Sequence, residues 1–99
     1  MAEVTIVYWR DIPAQVIVKA GRQAAKRELT PRFQEAIDRA AMRSGAHEAD
    51  TYLTEWRRGT PSPCGDDLEA EATEAAARLE ADFDETRLAQ LVKSDGRAG

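Results

Sequence analysis

Apolar side chains crowd the start of the chain. In VTIVYWRDIPAQVIVKAG, residues 4–21, two short apolar runs flank the linker RDIP. Val4 to Trp9 predicts a strand, with Val4, Ile6 and Tyr8 on one face and Thr5, Val7 and Trp9 on the other. Ala14 to Lys19 predicts a second strand of the same character. Asp11 and Pro13 favour a turn, and Pro13 lacks the N–H that a central strand position uses. The two runs therefore read as an antiparallel hairpin closed by RDIP. Strands apolar on both faces are either covered twice or keep one face for a partner.

After Gly21 the pattern loses its period. Residues 22–29 are basic and mixed, and Pro31 pushes its predecessor toward an extended backbone, so this stretch reads as a loop or frayed turn. Thr30-Pro31 marks a helix start, with threonine as cap and proline at the first helical position. Phe33, Ala36, Ile37, Ala40 and Ala41 form its buried stripe, and Gly45 ends it after Ser44. Thr51 to Arg58 alternates in the manner of a third strand, with Tyr52, Thr54 and Trp56 on one side. GTPSPCG, residues 59–65, reads as a loop. A second helix follows from about Asp66 to Phe83, with Leu68, Ala72, Ala75, Ala76, Leu79 and Phe83 as its apolar stripe. Glu85 to Lys93 suggests a short amphipathic turn, and SDGRAG a disordered end. The order β-β-α-β-α describes a small α+β domain over residues 1–83, followed by a tail over 84–99. The expected architecture is a three-stranded, mainly antiparallel sheet packed with two helices.

Length and composition narrow this picture. Ninety-nine residues make one domain, and 18 of the apolar residues are alanine, so the core is small and gains from a partner or from self-association. No segment reaches the roughly 20 apolar residues of a membrane span. The opening run starts behind Glu3 and is broken by Arg10 and Asp11, which makes a poor signal peptide. The single cysteine, Cys64, allows no internal disulfide, and a cytoplasmic location is the simple expectation. The net charge of −4 conceals two poles: Lys19, Arg22, Lys26, Arg27 and Arg32 against one acid, Glu28, and an acidic run from Asp66 to Glu85 against one base, Arg78.

Three sets of residues carry the pattern of a known family. They are VYWRDIPAQVIVKAG, then AKREL.PRFQEAIDRAAMRSG, then D.YL.EWRRG, and together they resemble the bacterial virulence factor domain over roughly residues 3–83. The shared pattern is a spread of aromatic and basic residues without a catalytic motif. The resemblance implies an accessory role, and stand-alone members imply an association with folate- and corrinoid-dependent methyl transfer. No cobalamin-type histidine loop and no phosphate-binding glycine loop accompany it here.

Four features hold candidate chemistry. Cys64, in SPCGDD ahead of the second helix, is a possible reactive thiol, although Asp66 and Asp67 oppose a thiolate. His47, with Glu48 and Asp50, matches no metal-ligand spacing and reads as an exposed loop histidine. The basic segment KAGRQAAKRELTPR, residues 19–32, offers a docking patch for an acidic partner, or alternatively for nucleic acid or another anionic ligand. Trp9, Arg10, Trp56, Arg57 and Arg58 combine the residue types enriched at interface hot spots. The reading that follows is a non-catalytic, cytoplasmic interaction module without a cofactor. It would dock a larger bacterial protein, a methyl-transfer enzyme if the resemblance is followed, through the Trp/Arg surface and the basic segment.

Overall fold

The computed structural model describes residues 2–46 and 48–97. Five strands and four helices follow one another: β1 (Ala2–Trp9), β2 (Ile12–Ala20), β3 (Gln23–Glu28), α1 (Pro31–Ser44), α2 (Ala49–Thr54), β4 (Trp56–Arg58), β5 (Ser62–Cys64), α3 (Leu68–Asp82) and α4 (Glu85–Lys93). The chain is an α+β domain with an antiparallel sheet, but the sheet has five strands and is joined by four helices. Strand order is β3-β2-β1-β4, and β5 shares with β4 the second edge of β1.

The β1–β2 hairpin forms as its composition dictates, with Trp9 opposite Ile12 and only Arg10 and Asp11 in the turn. Pro13 lies inside β2 rather than in the linker. A register shift beside Val7 and Tyr8 leaves Ala14 without an opposite residue, and this bulge accommodates the missing proline N–H. Val4 and Ile6 stand opposite Val18 and Val16; the two β2 valines belong to the main core with Trp9, Ile12, Phe33, Ile37, Leu79, Leu88 and Leu91, and half-buried Val4 and Ile6 pack against it.

The expected loop over residues 59–65 contains the short strand β5, which pairs with Ala2, Glu3 and Val4, and three longer readings from the sequence are corrected as well. Residues 22–29 are mostly strand: Gly21, with φ of +59°, turns the chain so that Gln23 pairs with Ala20 and β3 runs back along β2. The strand was hidden because Arg27 occupies a core-side position between Ala25 and Leu29. Its guanidinium reaches out past the apolar surface to Glu69 on α3. Thr51 to Arg58 is not a continuous strand. Its first half is helix α2, which places the Tyr52 ring between those of Trp9 and Trp56 (centroids 5.7 and 5.9 Å away), and only Trp56–Arg58 pairs with β1. Tertiary packing of one aromatic overrides a local alternation here.

The third correction concerns the C-terminal tail. Residues 84–97 are part of the packed domain. Asp84 caps α4 by accepting from the Arg87 N–H, Leu88 and Leu91 are buried, and α4 lies against α1. Gly96, at φ +85°, sits so close to Trp9 that an added Cβ would come within 3.1 Å of the indole. The expected disorder of the last two residues concerns positions outside those described.

α3 packs on β2 and β3 on the side of Val16, Val18 and Ala25. The opposite face of the sheet is different in kind. Strand alternation places Val7, Thr5 and Glu3 there, beside Gln15, Ile17 and Lys19 of β2. Ile17 is buried yet lies outside the main core cluster. Among the described residues no helix is long and apolar enough to cross a membrane.

Candidate functional site

The YWRDIP turn and the WRR strand do meet, but largely inside the protein. Trp9 is fully buried, and its indole N–H donates to the Tyr52 carbonyl at 2.9 Å. Arg10 takes a positive φ of 54°, a conformation rare for a residue with a side chain. Its guanidinium lies 4.9 Å from the Trp9 ring centre and donates from Nη1 to the Asp95 carbonyl at 2.7 Å. Nε sits 3.4 Å from a Glu55 carboxylate oxygen without the alignment of a hydrogen bond, so charge rather than directed bonding holds that contact. Arg57 donates to the Arg10 carbonyl at 2.8 Å and to Asp11 at 2.9 Å, and stacks on Tyr8. The Asp11 N–H reaches the Gly96 carbonyl at 2.8 Å.

This cluster is therefore a knot joining the hairpin tip, β4 and the chain's C-terminal end. The expected exposed Trp/Arg patch is corrected accordingly. Trp9 and Arg10 are withdrawn from the surface and Arg57 is engaged internally. Of the five residues, half-buried Trp56 and exposed Arg58 remain at the surface without an ion pair among the described residues.

The basic segment divides in the same way. Arg27 pairs with Glu69, and Arg32 pairs with Glu80 at 2.9 Å while donating to the Glu80 and Phe83 carbonyls. α3 thus neutralises two of the five cations. Lys19, Arg22 and Lys26 are exposed and have no side-chain partner among the described residues. Sequence reasoning missed Glu80, whose carboxylate accepts from the Thr30 backbone N–H at 2.7 Å and the Thr30 hydroxyl at 2.8 Å. The Thr30 hydroxyl is spent on this contact and does not cap α1. Burial pushes the Glu80 carboxyl up, but the Thr30 bonds and the Arg32 guanidinium outweigh it and hold the group below its ordinary value.

Cys64 lies in β5, opposite Ala2. Desolvation and the carboxylates of Glu71, Asp66 and Glu3 all push its thiol upward. That environment keeps the sulfur protonated and works against a nucleophilic role. At pH 7.5, Cys64 is expected to react with iodoacetamide more slowly than free cysteine, measured by mass spectrometry of the alkylated chain. A rate above that of free cysteine would show an activated thiol. The reading of His47 with Glu48 and Asp50 falls on a residue outside those described. Among the described residues no group of three histidine, cysteine or acidic side chains is placed to hold a metal.

Of the seven cations without a carboxylate partner among the described residues, Arg39 lies on α1 and Arg87 and Lys93 on α4, while Lys19, Lys26 and Arg58 share the face of the sheet away from α3. Lys26 stands beside Ile17 and Lys19 beside Ala24, while Arg58 stands beside Val7. Arg22 lies at the β2–β3 turn at the end of this face. Where Val7, Gln15 and Glu28 end the face, it opens into a groove of about 820 Å3. Leu29, Pro31, Phe33 and Trp56 supply most of its apolar wall, and Gln34 adds a carboxamide. No signal in the sequence pointed to this groove, because its walls come from β1, β2, the end of β3, α1 and β4.

Comparison with known proteins adds a family. A family model described as virulence factor matches residues 7–92. No curated protein and no solved structure matches the chain.

Proposed function

The chain belongs to the virulence factor family, and we propose that it is a non-catalytic docking module that binds a larger protein through the open face of its sheet. One observation carries this reading. Seven of the chain's cations pair with carboxylates, at Arg10, Arg27, Arg32, Arg43, Arg57, Arg78 and Arg97. Of the seven without a carboxylate partner among the described residues, Lys19, Lys26 and Arg58 share one face, where half-buried Val7 and buried Ile17 lie between them. A net-negative chain with 18 acids had ample means to neutralise them. Unpaired cations bordering apolar side chains suit a partner that brings its own carboxylates. The matched span includes all five of these residues.

The test is affinity capture of the tagged chain from its own host, compared with the triple variant K19E/K26E/R58E. A protein retained in stoichiometric amount by the native chain is expected to fall at least tenfold with the variant. The three residues are surface cations without partners, so the thermal midpoint should stay within about 3 °C. Equal retention by both chains would overturn the assignment of this face.

A further inference from the structure

We infer that the open face takes an extended acidic segment of the partner, anchored by one large apolar side chain in the groove. The inference rests on the docking reading above and can fail separately from it.

The groove and the cations form one continuous track. Val7 and Gln15 belong both to the groove and to the face. From Gln15 the track follows β2 to Ile17 and then to Lys19, with Lys26 directly across from Ile17. At about 3.3 Å per strand residue, Lys26 lies about 7 Å and Lys19 about 13 Å along the strand from the groove mouth. An extended segment covers those distances in about two and four residues. A leucine or aromatic side chain seated against Phe33, Leu29 and Trp56 therefore brings carboxylates two and four positions away over Lys26 and Lys19. Alternate side chains of an extended segment face the same way, which matches this even spacing.

The groove's chemistry agrees. Its only charged lining residue is Glu28, so a carboxylate is unwelcome inside it and an apolar side chain fits. The Gln15 carboxamide has no partner among the described residues and can pair with the peptide backbone at the groove mouth. A nucleic-acid strand fits less well. Glu28 lies at the groove end of the face and Glu3 directly opposite Lys19, so any anion on the track meets some repulsion, and a run of phosphates charged at every step meets more of it than two spaced carboxylates. Of the two aromatics lining the groove, Phe33 is buried and Trp56 half-buried, whereas single-stranded binders stack successive bases on several exposed rings.

The experiment is selection of a phage-displayed random dodecapeptide library on the full chain. Enriched peptides are then synthesised, and binding is measured by fluorescence anisotropy. The expected consensus is one Leu, Ile, Phe or Trp with Asp or Glu two and four positions away. Binding should weaken at least tenfold from 50 to 300 mM NaCl and at least tenfold with K19E/K26E. W56A should remove the preference at the anchor position while leaving the acidic preference. A consensus lacking acids or lacking an anchor, or no enrichment at all, overturns the inference. Stronger binding of a fifteen-nucleotide oligothymidylate than of the best peptide overturns it in favour of nucleic acid. If selection fails while host capture still depends on Lys19, Lys26 and Arg58, the docking face stands and only the extended-segment inference falls.

Discussion

Replacing Trp9 by alanine is expected to lower the thermal midpoint by about 12–40 °C, a larger loss than W56A or E80Q should cause. The indole is fully buried, touches Tyr52 and is capped by Gly96. Truncating a buried tryptophan costs about 3–5 kcal/mol through lost transfer energy and the cavity left behind. For a domain of this length each kcal/mol moves the midpoint by about 4–8 °C. The change also removes the donor to the Tyr52 carbonyl and the ring beneath Arg10, which loosens α2 and the hairpin tip together. W56A is the companion variant. Trp56 is half-buried, so its truncation should cost about 1–2 kcal/mol. Differential scanning fluorimetry of both chains decides the matter. Comparable midpoints for the two would mean that Trp9 is the exposed contact residue its neighbours in sequence suggest, and not the centre of the knot.

That contrast marks what was legible in the sequence. The β1–β2 hairpin and α1 were, because the apolar runs, Pro31 and Gly45 all act within a few residues of themselves. The helix ends where a left-handed Gly45, φ +78°, stops it. β3 was not, since an arginine at a core-side position breaks the apolar alternation unless a distant Glu69 is there to receive it. The burial of Trp9 and Arg10 depends on the chain returning 85 residues later, where Arg10 bonds the Asp95 carbonyl. Nothing near YWRDIP encodes that return. The basic segment was visible as charge, but its division was not. Lys26 and Arg27 are neighbours in sequence and face opposite sides of the sheet, one unpaired and one satisfied by α3. Only the strand assignment separates the cation that holds the fold from the cation that stays unpaired at the surface. The expected roles of Lys19 and Lys26 accordingly persist as proposals, while Arg27 and Arg32 are explained by the fold itself.

Glu80 provides the second large effect and a sign that can be checked. Its carboxylate ties the entrance of α1 to the end of α3 through Thr30 and Arg32. Hydrogen bonds to a charged group contribute about 1.5–3 kcal/mol when shielded from water. The side chain is 27% exposed, so solvent screening reduces the expected loss in E80Q to about 1–2 kcal/mol at pH 7. The amide also turns an N–H2 toward donors that needed an acceptor. The folded carboxyl is held below its ordinary value by the Thr30 bonds and Arg32, against the upward push of burial. A depressed folded value means that the unfolded chain binds the proton more tightly. The stabilisation is complete above the unfolded carboxyl range, near pH 4.3, and is lost as pH falls through the folded value. Urea unfolding of the native chain and E80Q should therefore show a gap of about 1–2 kcal/mol at pH 7 that narrows below about pH 4. A gap that stays constant into acid would mean that Glu80 titrates as it does in the unfolded chain. A gap that widens would reverse the sign and place the stabilisation in the protonated form.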